Sequence, residues 1–131
     1  MLFRPSETCL VYHASDIDRT ARFYDAVFGI AFEQRGTGGD RFLFARLSPD
    51  FSISIMPGRP QPGTSPLVTF TLAEGGIADV VEALANMGAT IVAPVSDAPE
   101  GKGAAFLDPD NYPFGLYQPG DKPLSIKGSQ S

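Results

Sequence analysis

The sequence holds one cysteine, Cys9, one histidine, His13, and no tryptophan. One cysteine excludes an intrachain disulfide. The two counts together exclude any metal site within one chain that needs two histidines or two cysteines. Basic residues are few and scattered: 10 Lys and Arg stand against 15 Asp and Glu, a formal net charge of −5. With no basic stripe, nucleic acid is not an expected partner. No run of about 18 apolar residues occurs, so no membrane partner is expected either. The first residues, broken by Arg4, Pro5, Ser6 and Glu7, have no signal-peptide core. These absences point to a soluble cytoplasmic protein.

What is present fits one domain over residues 1–131. Hydrophobic residues make up 43% and charged residues 19%, enough to bury a core without a metal or disulfide staple. Fourteen glycines and 12 prolines predict many short elements rather than a long bundle.

Residues 7–13 read as a β-rich strand. Ser15, Asp16 and Asp18 then supply a cap and first-turn acids for a helix. Its apolar positions Ile17, Ala21, Tyr24 and Phe28 recur at helical spacing, and Gly29 closes it. Strands are predicted at 30–34, 41–47 and 51–56, with a turn over 35–40. The segment from Pro57 to Pro66 carries four prolines and two glycines and reads as a linker. A strand at 67–72 follows. A second helix, with Ile77, Val80, Val81, Leu84 and Met87 on one stripe, closes at Gly88. Residues 89–93 form a strand ended by Pro94, 96–102 a loop, and 103–107 and 113–118 two more strands. Residues 119–131 are polar, without periodicity, and read as a mobile tail. The glycine groups at 36–39 and 101–103 lack the strand–loop–helix setting of a phosphate loop and are expected to be hairpin turns.

The order strand–helix–three strands thus occurs twice, nearly half the chain apart, which is an internal repeat. With Asp16-Ile17-Asp18-Arg19-Thr20-Ala21-Arg22-Phe23-Tyr24, then Val27-Phe28-Gly29, and Asp108-Pro109-Asp110-Asn111-Tyr112-Pro113-Phe114 before the last strand, the chain resembles the vicinal oxygen chelate superfamily over about residues 7–118. That group includes glyoxalase I, bleomycin-resistance proteins, fosfomycin-resistance enzymes and extradiol dioxygenases. Asn111 stands where glycine is commoner. The resemblance implies an α+β fold of two βαβββ modules forming an open, cup-shaped mixed sheet: module one at 7–57, a linker at 58–66, module two at 67–118 and a tail at 119–131. It also implies a homodimer.

In metal-dependent members, the resemblance implies four ligand positions facing into the cup. They fall here at Cys9, Ser54, Leu67 and Gly115. Leucine and glycine offer no side-chain donor, serine is a poor one, and one thiolate does not replace a full set. No family-type metal and no cofactor are therefore expected.

His13 shares a strand face with Val11 and Cys9 and is the one candidate general base. The competing reading is a strand-end histidine satisfied by backbone or water. Cys9 lies about 13 Å along the strand from His13, too far to be activated by it, so it reads as a small buried hydrophobe. Arg46, in phase with Phe42 and Phe44, suits a carboxylate or phosphate held bidentately; a solvated strand end is the alternative. Tyr117 shares the face of Gly115, where its hydroxyl either orients a ligand or sits at the rim of the core. Phe42, Phe44, Met56 and Tyr117, with hydroxyls from Ser52, Ser54, Thr69 and Thr71, suit an organic molecule with rings and a few polar groups. The bland alternative is that these side chains fill the sheet interior.

The resulting expectation is a glyoxalase/bleomycin-resistance-like protein that binds a small organic molecule in its cup or dimer groove without a family-type metal. The ligand-binding candidates are His13, Phe42, Phe44, Arg46, Ser54, Met56, Thr69 and Tyr117. The alternative is a lyase, isomerase or dioxygenase-type enzyme of the same superfamily, and the residues do not decide between them. A non-catalytic interaction domain with a filled cup is the third reading.

Overall fold

Asp16 starts the first helix as its sequence position predicts. Its backbone is extended and its carboxylate accepts the Arg19 amide at 3.1 Å. The helix, α1 (Ile17–Phe28), ends at Gly29, whose φ of 71° is the left-handed C-terminal turn. The computed structural model describes residues 2–61 and 66–127. Part of the expected linker (62–65) and the end of the expected tail (128–131) lie outside the described residues.

Among the described residues, eight strands and two α-helices form an α+β fold. The strands are β1 (Pro5–Ala14), β2 (Glu33–Arg35), β3 (Phe42–Ser48), β4 (Phe51–Pro57), β5 (Leu67–Leu72), β6 (Thr90–Ala98), β7 (Gly101–Leu107) and β8 (Pro113–Pro119); α2 (Ile77–Asn86) follows β5. The sheet is mixed, in the order β2-β3-β4-β1-β5-β8-β7-β6. The chain divides into two units, one of residues Cys9–Leu67, the other of residues up to Thr8 with those from Val68 on. No helix of the described residues is long and apolar enough to cross a membrane.

In the Cys9–Leu67 unit, β3 pairs antiparallel with β4, placing Leu43 opposite Ile55, Phe44 opposite Ser54 and Arg46 opposite Ser52. Strand alternation splits these residues between two faces. Leu43, Ile53 and Ile55 pack with Ala14 and Ile17 as one core, with Ala21 and Phe32 against it. Each such aliphatic side chain, once buried, contributes about 1.5–3 kcal/mol. The rings of Tyr24, Phe28 and Phe32 meet edge to face over this core.

In the other unit, β5 runs parallel to β8, and β8–β7 and β7–β6 are antiparallel. Leu72, Ile77, Val80 and Leu116 form its core, with Phe3, Phe70 and Phe106 packed against it. The turn before β8 is built on Asp108. Its carboxylate accepts the amides of Asp110 and Tyr112, at 2.9 and 3.0 Å. Asn111 takes a φ of 70°, the left-handed region that asparagine tolerates better than most residues.

Four sequence expectations change. The strand predicted at 30–34 shortens to Glu33–Arg35, so Arg35 is in a strand and not in a turn. The strand predicted to stop at Pro94 continues to Ala98. Strand β6 is a sheet edge, and its register shifts between Ala93 and Ser96, where a residue lacking an amide is tolerated. The expected loop 96–102 therefore shrinks to a tight turn at Pro99 and Glu100, and Gly101–Gly103 lies in β7 rather than in a turn. Gly101 is required by close approach: a Cβ there would collide with the Gln118 carbonyl oxygen.

The fourth change is the tail. Within the expected tail, residues 122–127 are docked on the start of α2. The Gly76 amide donates to the Pro123 carbonyl at 2.7 Å, and the Ala78 amide to that of Leu124 at 2.9 Å. The Ile77 amide donates to the buried Gln118 Oε1 at 2.8 Å, while Gln118 Nε2 donates to the Lys122 carbonyl. The helix has no side-chain cap of its own, and these groups satisfy its exposed amides. The Asp79 carboxylate then accepts the Ser125 hydroxyl and the Ile126 and Lys127 amides, at 2.7, 2.7 and 2.9 Å.

Two outcomes test this docking. The Lys127 amide first, then the Ser125 hydroxyl, hold the Asp79 carboxyl below its usual range. A lowered value means that the contribution is present above the unfolded carboxylate pKa and lost as pH falls through the folded one. Amide chemical shifts of Ile126 and Lys127 are thus expected to hold constant at neutral pH and move in acid, in step with the Asp79 carboxyl. At Gly75, φ is 86° and a Cβ would lie 2.8 Å from the Pro123 carbonyl oxygen. Gly75→Ala is expected to cost at least about 1–2 kcal/mol in denaturant unfolding, the scale of placing an L-residue in the left-handed region.

Candidate functional site

The sheet face of the Cys9–Leu67 unit that turns away from α1 gathers most of the sequence candidates. By register and alternation it carries Phe42, Phe44 and Arg46 on β3, and Ser52, Ser54 and Met56 on β4. Phe42 and Phe44 are 6% and 8% exposed, Ser52 and Ser54 are buried, and Met56 is half-buried. Cys9 joins them from β1: its Sγ lies 3.3 Å from Ser54 Oγ in a thiol–hydroxyl hydrogen bond. Among the described residues no buried side-chain nitrogen or oxygen lacks a partner.

Arg46 is exposed, donates to the Pro49 carbonyl at 3.3 Å, and holds its guanidinium 5.3 Å from the centre of the Phe44 ring. Arg35 brings a second guanidinium, 4.0 Å from the same ring centre. Glu33, opposite Phe44 across β2 and β3, accepts from Arg35 at 3.3 Å. Arg35 was not among the sequence candidates, because the glycines after it placed it in a turn. The alternation Glu33, Arg35 at period two was the available signal.

His13 is exposed at the end of β1. Its ring lies over Gly58, where a Cβ would approach His13 Cδ2 to 2.9 Å, and the Gly58 amide donates to the Ala14 carbonyl at 3.0 Å. Thr69 and Tyr117 belong to the other unit. Thr69 is half-buried and pairs with Gly115, on the face away from the Leu116 core. Tyr117 donates its hydroxyl to the Pro99 carbonyl at 2.8 Å and so braces the β6–β7 turn.

A cleft of about 410 Å3 lies elsewhere in the Cys9–Leu67 unit, at the start of α1. Asp16, Asp18, Gly38, Gly39 and Arg41 line it, and none of the sequence candidates does. Arg41 grips both Asp18 oxygens, at 3.1 and 3.3 Å, and this contact holds the Asp18 carboxyl below its usual range.

Of the four positions expected to correspond to metal ligands, Cys9 and Ser54 meet. They meet as a hydrogen-bonded pair, while Leu67 and Gly115 have no donor to add. One thiol and one hydroxyl do not make the donor set of a divalent ion. Among the described residues, no three His, Cys, Asp or Glu side chains come together as a metal group.

Residues 9–116 match the family model described as the Glyoxalase/Bleomycin resistance protein/Dioxygenase superfamily. Among solved structures, the chain is similar to methylmalonyl-CoA epimerase from Mycobacterium tuberculosis: TM-score 0.67, 12% identity, covering 90% of this chain and 89% of that one. A variant of the Streptomyces coelicolor methylmalonyl-CoA epimerase, in complex with 2-nitronate-propionyl-CoA, is similar at TM-score 0.65 and 14% identity, covering 93% and 98%. So is a structure described as an NAD-dependent benzaldehyde dehydrogenase from Legionella pneumophila, at TM-score 0.66 and 9% identity, covering 86% and 98%. At these identities the likeness carries the fold alone. No curated protein matches the chain.

The burial of Phe44 gives a direct test of what this face is. As a packed core ring it is expected to cost about 3–5 kcal/mol on Phe44→Ala, read by denaturant unfolding. A cost near zero with altered ligand binding would instead mark it as the wall of an open pocket.

Proposed function

The chain belongs to the glyoxalase/bleomycin resistance protein/dioxygenase superfamily, and from that premise we propose that it is a homodimer that binds a small organic molecule without a family-type metal. The observation that carries this reading is the Cys9–Ser54 hydrogen bond. Two positions that the family resemblance assigns to metal ligands are closed on each other, and the other two are Leu67 and Gly115. In this reading the ligand lies on the face of Phe44 and Ser54. Aromatic surface, the Met56 thioether and a guanidinium there provide the apolar lining with few polar groups that organic ligands favour. His13 is retained as a candidate ligand contact of this unit, and Thr69 and Tyr117 as candidates on the other unit's own sheet face.

An enzyme of the lyase, isomerase or dioxygenase type is the second reading within the same family. The epimerases of similar structure lend it no substrate at 12–14% identity.

Native mass spectrometry of protein purified without chelator or added metal tests the proposal. The expected result is a dimer free of metal, with an organic adduct whose mass identifies the ligand class. A stoichiometric divalent metal overturns the metal-free reading, and a monomer at micromolar concentration overturns the dimer.

A further inference from the structure

The start of α2 and the C-terminal segment complete each other, and Gln118 joins them. Gln118 sits in β8, paired with Lys102 of β7, and is 1% exposed. Its Oε1 accepts the Ile77 amide at 2.8 Å, and its Nε2 donates to the Lys122 carbonyl at 3.1 Å. One carboxamide therefore holds both the first turn of the helix and the beginning of the segment. Gly75, Gly76 and Ile77, where the segment lies across the helix start, are buried. Apolar burial contributes little to the segment's hold, since Leu124 and Ile126 are 46% and 45% exposed. The hold is polar: the Pro123 and Leu124 carbonyls accept the Gly76 and Ala78 amides, and Asp79 accepts from Ser125, Ile126 and Lys127. A segment with few buried apolar contacts belongs to the low end of local stability.

The dependence runs both ways. The residue before α2 is Gly76 and caps nothing with a side chain, so lifting the segment removes the acceptors of the Gly76 and Ala78 amides and uncaps the helix. Asp79, the segment's anchor, lies in that same first turn, so fraying the turn removes the anchor. Neither half keeps its hydrogen bonds without the other. Gln118, by contrast, is fixed by the sheet ladder on its main chain. From this arrangement we infer that residues 122–127 are a strap that opens and closes as one unit with the first turn of α2, about Gln118 as its joint, while the β7–β8 ladder stays paired. Closed, the strap covers the turn between β5 and α2. Open, it exposes the Gly75–Ile77 backbone to solvent. Order at the start of α2 is thus conditional on the C-terminal segment.

Native-state hydrogen exchange of the full chain, read by NMR residue by residue, tests this. The amides of Gly76, Ile77, Ala78, Ile126 and Lys127 are expected to share one protection, lower than that of the β7–β8 ladder. Ser125→Ala then separates a joint opening from a local one. It removes a hydroxyl from the strap and leaves every atom of α2 in place. All these amides, those of Gly76, Ile77 and Ala78 included, are expected to exchange faster by a common factor of about tenfold or more, the scale of one hydrogen bond to a charged group. The ladder amides are expected to keep their rates relative to global unfolding. Faster exchange at Ile126 and Lys127 alone overturns the inference, because the strap then lifts without the helix. Protection of the whole set equal to that of the ladder overturns it too, because opening is then global unfolding. Unchanged rates at Gly76–Ala78 in Ser125→Ala overturn it as well.

Discussion

Strands β3 and β4 are buried on both faces, and most of the Cys9–Leu67 unit follows from that constraint. Phe42–Ala45 and Ser52–Ile55 are continuous buried runs, yet they alternate in character. Leu43, Ile53 and Ile55 go to the helix side and need only apolar neighbours. Ser52 and Ser54 go to the other side, where a hydroxyl without a partner would cost about 1–3 kcal/mol. Ser54 meets this demand through Cys9. The half-buried thiol is therefore a hydrogen-bonded member of this face. The aromatic rings beside the serines supply the apolar mass, and Arg35 and Arg46 both lie against the Phe44 ring.

The two halves of the repeat solve the same problem at their helix starts by different means. In α1 the cap is local: Asp16 accepts the Arg19 amide, and Asp18 in the first turn is held by Arg41. In α2 the residue before the helix is Gly76, with no side chain to offer. The amides there are met by Gln118 and by carbonyls from Pro123 and Leu124. The absence of a side chain at Gly75 and Gly76 is also what allows that segment to approach, since a Cβ at either would meet Lys122, Pro123 or Ile126 at 2.8–3.0 Å. A missing cap and a docked C-terminal segment are thus one feature. The helix has no cap residue of its own at the place where the chain supplies an external one.

This difference explains which parts of the molecule could be read from sequence. The first helix was legible to its ends because its cap, its stripe and its closing glycine all lie within 14 residues, Asp16 to Gly29. The Asp108–Tyr112 turn was legible for the same reason, down to Asn111 in place of glycine. The docked segment was not, because residues 119–127 are polar and aperiodic. Their order comes from main-chain carbonyls and from Asp79, more than 40 residues away in sequence. Pro94 misled for a related reason. Proline ends a strand only where its missing amide is needed, and β6 is an edge with shifted register at that point. On the candidate site, Phe42, Phe44, Arg46, Ser54 and Met56 were placed on one face by period two, and register in the structure puts them there. Arg35 escaped because a three-residue strand is too short for alternation to outweigh the glycines that follow it.

At two of the positions where the family resemblance expects metal ligands, Cys9 and Ser54 come within hydrogen-bond reach of each other. One thiol and one hydroxyl do not make up the donor set of a divalent ion. Whatever charge this face offers a ligand has to come from its side chains. Those are the guanidiniums over Phe44, which stands directly across the strand pair from Ser54. A guanidinium stays protonated throughout the physiological range and binds through directed N–H groups rather than by coordination.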